Sequence, residues 1–289
     1  MEHIKFNKTL CGVDFLLNVI NVDASNHESF STGLQTADFF QIVFVNRGEG
    51  RLLLNDQLIE LKDNQVLFIS QYQKYQWYAD PTSFEATFLV FQEDFLNDFF
   101  ADQYFTYRLL YFYQTEYPLF LEINEESRLQ FANQLQEIKK ELVQPQSDSV
   151  HLIRSILYYL LAKLNRSYAS KYHISASDMT ENLAFQFRKL AEANIRTKQR
   201  VDDYADVMKV SRITLNKIVK KQFNQTTSEF LKSRLVHEIK MELIYSNKSI
   251  NQLSQEFNFT ESNHFSRFFK MQMGMTPSDY RGNYQNGSL

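Results

Sequence analysis

One pattern occurs twice in the last hundred residues, about fifty positions apart. A short amphipathic helix leads through a tight turn and a polar cap into a second helix with one apolar and one polar, cationic face. The copies run Val201–Lys221 (VDDYADVMKVSRITLNKIVKK) and Ser249–Lys270 (SINQLSQEFNFTESNHFSRFFK). A helix that hides one face and offers Arg, Lys, Asn, Ser and Thr on the other is the kind of element that enters a DNA major groove. Two such units in tandem constrain this stretch to an all-helical domain that reads base pairs.

Charge points the same way. The net charge of −3 conceals 17 Lys and Arg against 10 Asp and Glu from Leu183 onward, and 14 against 24 before it. Only the C-terminal part is expected to meet a polyanion. The chain has room for two cores, and a hydrophobic fraction of 44% argues for ordered structure. Cys11 is the single cysteine, which excludes an internal disulfide and fits a reducing compartment. The opening MEHIKFNKTL lacks the build of a signal peptide, and no apolar run is long enough to span a bilayer. The expectation is a cytoplasmic protein.

In the first unit Leu183, Phe187 and Leu190 form the stripe of an entry helix, and Asp202 and Asp203 open the next one. Ala205 is small where two helices cross, and Ser211 can cap the recognition helix. Leu215, Ile218 and Val219 make its buried face, which turns Arg212, Ile213, Asn216 and Lys217 outward, with Lys220 and Lys221 placed for phosphates. In the second unit Ile250, Leu253 and Phe257 are the first helix's apolar face, and Asn258 suits a left-handed turn. Phe265, Phe268 and Phe269 are mainly core, while Ser262, Asn263, Ser266 and Arg267 lie on or near the groove side, with Lys270 near the DNA backbone. His264 faces either DNA or solvent. Between the units Ser228–Ser246 is one amphipathic run, about 27 Å long at 1.5 Å per residue. A rigid spacer of that length can set two recognition helices in adjacent major grooves, about 34 Å apart.

The earlier part changes period. Phe39–Val45, Gly50–Leu54, Gln57–Leu61, Gln65–Ser70 and Phe84–Phe91 read as strands. Their turns fall at Asn46–Gly50, Asn55-Asp56, Lys62–Asn64 and Asp80-Pro81, which implies a small β-barrel or sandwich. Phe131, Leu135, Ile138 and Leu142, then Val150, Ile153, Leu157, Leu160 and Leu164, form two helical stripes. They can pack on the barrel, on a second subunit, or on both. His173–Asn182 reads as a linker. The fold class is therefore multidomain α+β, with domains at 1–120, 121–172 and 183–289.

The C-terminal residues resemble the AraC/XylS family of bacterial transcription regulators over roughly 185–283. The signature is Ser249-Ile250, Asn258-Phe259, Phe265-Ser266-Arg267-Phe268-Phe269-Lys270 and Gly274-Met275-Thr276-Pro277-Ser278-Asp279-Tyr280-Arg281. Departures are Ser254 for Ala, Asn258 for Gly, Asn224-Gln225-Thr226-Thr227 for Gly-x-Ser/Thr-Pro, and no aromatic in Met271–Met273. The resemblance implies a cupin-like N-terminal β-barrel that senses a small molecule, followed by helices that dimerise. Arg47-Gly48-Glu49-Gly50 fits the family's early turn. The implied partners are double-stranded DNA, a small-molecule effector, a second copy of the chain and RNA polymerase.

Arg47, Tyr72, Tyr75, Trp77 and Tyr78 are candidate effector contacts, since amphipathic aromatics line many sugar and aromatic-ligand sites; the same aromatics also suit a β core. Metal-dependent cupins take His ligands from the strands, yet no His occurs from Phe39 to Phe91; His27 precedes them and His151 lies on a helix. Glu93-Asp94 and Glu125-Glu126 read as helix starts. No enzyme, metal or cofactor is expected. The alternatives are a ligand-binding or enzymatic cupin with an oligomerising tail, and a regulator without a metabolite effector.

Overall fold

The computed structural model describes residues 2–4, 16–25, 32–55, 57–80, 83–92, 94–97, 105, 109–113, 117–174 and 183–285. The chain forms two compact units, Met1–Met179 and Thr180–Leu289. Cys11, His27, Asp56, Pro81, Glu93 and linker residues 175–182 lie outside the described residues. Among the described residues no helix is long and apolar enough to cross a membrane.

The first unit is a two-sheet sandwich. One sheet has the order β1 (Glu2–Ile4), β3 (Gln35–Ala37), β8 (Tyr75–Ala79), β5 (Gly50–Leu54), β6 (Gln57–Leu61). The other runs β10 (Phe120–Glu122), β7 (Gln65–Ile69), β4 (Phe40–Arg47), β9 (Glu85–Phe91), β2 (Leu17–Val22). The strand expectations hold within one or two residues for β4, β5, β6, β7 and β9, while β1, β2, β3, β8 and β10 were missed. Between the sheets pack Val43, Val45, Leu52, Ile59, Leu67, Trp77 and Phe88.

The opposite face of the second sheet is covered too, by two short helices, α1 (Asp94–Asn97) and α2 (Leu110–Tyr113), and by two long ones. Phe40, Ile42, Phe44, Val66, Phe68 and Leu89 share a core with Phe131, Leu135 and Ile138 of α3 (Glu125–Val143) and Ile153, Leu157 and Leu164 of α4 (Ser149–Tyr172). A strand buried on both faces needs no polar alternation, which is why β4 reads FQIVFV. The helical stripes thus pack on the sheet, and 121–172 shares its core with 1–120 rather than standing apart. Tyr168 and Tyr172 fasten α4 by donating to the Pro118 and Phe120 carbonyls at 2.7 and 3.0 Å. At the first turn Gly48 adopts φ 114, and a Cβ on Gly50 would stand 2.8 Å from the Tyr78 carbonyl oxygen, so both glycines are required.

The second unit is all helical: α5 (Leu183–Asn194), α6 (Val201–Val207), α7 (Arg212–Phe223), α8 (Thr227–Tyr245), α9 (Ile250–Glu256), α10 (Ser262–Met273) and α11 (Pro277–Gln285). The expected spacer is α8, which buries Phe230, Leu231, Leu235, Ile239 and Leu243. On α5 the buried residues are Ala184, Phe187, Arg188 and Ala191, whereas Leu183 is exposed. The stripe is rotated from the expected one because Arg188 lays its guanidinium over the Phe223 and Phe230 rings, 5.4 and 5.6 Å away.

Candidate nucleic-acid interface

The helix pairs α6–α7 and α9–α10 repeat, the first helices at an offset of 49 and the recognition helices at 50, with Arg212 matching Ser262 and Phe223 matching Met273. Each turn hinges on one residue in the left-handed region, Lys209 at φ 55 and Asn258 at φ 57. Small buried residues let the helices cross closely, Ala205 in one unit and Ser254 in the other. Ser211 caps α7: its Oγ accepts from Thr214 N at 3.0 Å. Glu261 begins α10 with no side-chain cap, and Thr260 instead meets His264 Nδ1 at 3.2 Å.

Leu215, Val219 and Phe223 form the buried face of α7, and Phe265 and Phe269 that of α10; Ile218 and Phe268 are only half-buried. The opposite faces are exposed. On α7 they carry Arg212, Ile213, Lys217, Lys220 and Lys221; on α10, Asn263, His264, Arg267, Lys270 and Met271. Ser262 and Ser266 are half-buried at the margin. Ile213 is 83% exposed and Met271 75%, an apolar exposure that water disfavours and a groove would cover. Met271 was not among the sequence candidates. Arg212 rests against Asp202 at 3.0 Å, an exposed pair that releases easily.

Asn216 departs from expectation. It is half-buried, and its Oδ1 accepts from the backbone N–H of Thr227 at 3.0 Å, so it braces the start of α8 instead of facing outward. The reason lies in the altered Thr226-Thr227 sequence. At the matching position of α11 stands Pro277, which has no N–H to satisfy, and Ser266 in the register of Asn216 has no such duty. Thr226 and Glu229 complete a capping box at this junction.

The five effector candidates do not converge. Tyr75 and Trp77 point between the sheets, with Trp77 only 2% exposed, while strand alternation sends Tyr78 to the outer surface. Burial pushes the Tyr75 phenol up to about 12 against the opposing effect of a hydrogen bond with Gln41. Tyr72 holds a turn at φ 61, its N–H on the Ala37 carbonyl, and Arg47 is exposed at the end of β4. Tyr78 lines an open groove of ≈ 980 Å³ with Arg51, Leu58 and Glu60. A smaller cavity of ≈ 220 Å³ between the second sheet and α3 is lined by Asn21, Asn46, Thr87, Arg128, Gln136 and Lys139, among others.

This geometry is that of a two-domain transcription regulator, a β-sandwich unit followed by a DNA-binding unit with two helix-turn-helix pairs. A family model described as an AraC-like ligand binding domain matches residues 23–162, and one described as a helix-turn-helix domain matches 204–283. The chain belongs to the AraC family of transcription regulators. It is 21% identical to the HTH-type transcriptional activator RhaR of Mannheimia succiniciproducens over 87% of each chain. Identity to the Msm operon regulatory protein of Streptococcus mutans is 24%, over 89% of each chain. Among solved structures, fatty-acid-bound ToxT from Vibrio cholerae matches 92% of this chain and 94% of its own at a TM-score of 0.41 and 17% identity.

Proposed function

We propose that this regulator sets α7 and α10 into successive major grooves. Arg212, Ile213 and Lys217 read bases in one, and Asn263 and Arg267, flanked by Ser262, His264 and Ser266, read the next. Lys220, Lys221 and Lys270 bind phosphates, and Ser211 holds the end of α7 against the backbone. The observation that carries this reading is the recurrence of an exposed polar face at a fifty-residue register, each face also holding one exposed apolar residue, Ile213 and Met271, at different places along the helix. Arg267→Ala should lose about 1–3 kcal/mol at one base position. Lys221→Ala should weaken all DNA alike and shallow the salt dependence of binding. Gel shifts on operator variants across a salt series test both; unchanged operator affinity of Arg267→Ala would remove that side chain from the interface.

The first unit would sense a small molecule, which its family match and the cavity beside α3, lined by both polar and apolar residues, support. Thermal shifts of the full chain with sugars and small organic acids test this. Exposed Leu129, Leu152, Tyr158 and Tyr159 on the helix pair suit a second copy of the chain, to be checked by sedimentation. We further infer activation through RNA polymerase contact, as the names of relatives such as RhaR support, in the cytoplasm and without catalysis.

A further inference from the structure

The two helix-turn-helix pairs are joined by more than α8. Arg196 sits in the loop between α5 and α6, on the side of the first pair. Its guanidinium meets Glu238 and Glu242 of α8 at 2.9 Å each, and Glu256 at the end of α9 at 2.7 Å. It also lies 5.4 Å from the Phe257 ring in the turn of the second pair. Lys248, on the approach to α9, closes the network at 3.0 Å from Glu242 and 2.6 Å from Glu256. Two neutral hydrogen bonds run alongside. Gln199 Nε2 donates to the Phe257 carbonyl at 2.5 Å, and Asn258 Nδ2 donates to the Thr197 carbonyl at 3.2 Å.

None of these side chains belongs to the exposed faces of α7 and α10. They gather three carboxylates into a domain whose overall excess is cationic, an arrangement that DNA contact would not favour. A single ion pair this exposed is worth little, but a network in which each charge orders the next is the exception to that rule. A spacer helix fixes how far apart two recognition helices stand, yet leaves their rotation about its axis to its end contacts. Linked modules gain from one another only if both can engage at once.

We propose that Arg196 is a positioning residue. It locks the turn of the second pair against the loop that leads into the first, and so fixes the spacing and phase of half-sites the protein accepts. This rests on the two-groove reading above. One inserted base pair turns the far half-site by about 35°, so a locked pair should discriminate against it and a loosened pair should not.

The test uses the full chain. Spin labels on Lys217→Cys and Lys270→Cys, in a Cys11→Ser background, report the distance between recognition helices by double electron–electron resonance. The parent should give a narrow distribution, and Arg196→Gln, or Glu256→Gln should the first fold poorly, a broad one. On DNA, with no cysteine or label introduced, the native chain should lose about tenfold or more in affinity when one base pair is inserted between half-sites, and Arg196→Gln alone should lose little, with single-half-site affinity unchanged. Equal distance widths, a retained spacing penalty, or a parallel fall in single-half-site binding would overturn the proposal. A parent that gains nothing from a second half-site would refute the two-groove reading instead, and the distance widths would still decide the clamp.

Discussion

The two helix-turn-helix pairs share a backbone plan and solve its local problems with different residues. The second pair follows by Pro277, whose missing N–H asks nothing of α10, while the first is followed by Thr227, whose N–H must be met by Asn216. The first pair caps its recognition helix with Ser211; the second leaves Glu261 without a cap bond and carries one extra turn residue. A residue at a given place in the repeat therefore need not do the same work in both copies. At position 216 a side chain that a groove would accept is taken up by a helix start.

Core truncations should have the largest effect and treat the copies alike. Leu215→Ala is expected to cost about 2–5 kcal/mol and Phe265→Ala about 3–5 kcal/mol, as both are fully buried at matching positions. Thermal or denaturant unfolding measures both. The next effect should separate the copies. Asn216→Ala abandons a donor on Thr227, a residue 1% exposed, and should cost about 1–3 kcal/mol, against under about 0.5 kcal/mol for Ser266→Ala.

Thr227→Pro should abolish that difference. It removes the N–H together with an Oγ1 that is buried without a partner, and Thr226 already has the extended backbone that precedes proline. A double-mutant cycle in which Asn216→Ala remains costly beside Thr227→Pro would contradict the assigned role. Smaller still, Ser211→Ala should cost about 1 kcal/mol and Glu261→Ala nearly nothing.

The smallest contrast is in acid. Hydrogen bonds from the Thr226 side chain and backbone hold Glu229 below its usual value. For Glu242, burial acts upward, and hydrogen bonds from Lys248 and Arg196 outweigh it to leave a net lowering. A depressed carboxyl stabilises the fold above its unfolded value, and that support goes as pH falls through the folded one. Stability of the second unit should therefore decline below about pH 4.5, less steeply in Glu229→Gln, which chemical denaturation at stepped pH would show.

The recognition helices were legible because amphipathic period, cap and turn residues all lie within twenty positions of one another. Ser211, Leu215, Val219 and Phe265 could be placed from spacing alone. Asn216 could not, since its partner Thr227 is in the next helix and its geometry depends on the absent proline. The clamp was illegible for a similar reason: Arg196 lies 42 to 60 positions from its carboxylates, and a Glu on α8 or at the end of α9 reads as surface. In the first unit β4 was plain from a run in which Gln41 is the one polar residue between Phe39 and Val45, whereas β2, with Asn18 and Asn21 between its apolar residues, was not. Tyr75 and Trp77 read from the sequence either as ligand contacts or as β core, and β8, which puts them in the core, carries no strand pattern plain enough to decide between the two.

Methylation interference on the bound operator tests most directly whether both recognition helices read DNA. The expected result is two clusters of guanines whose methylation blocks binding, centred about 10 base pairs apart, the farther one lost with Arg267→Ala. A single cluster, unaffected by Arg267→Ala, would contradict it.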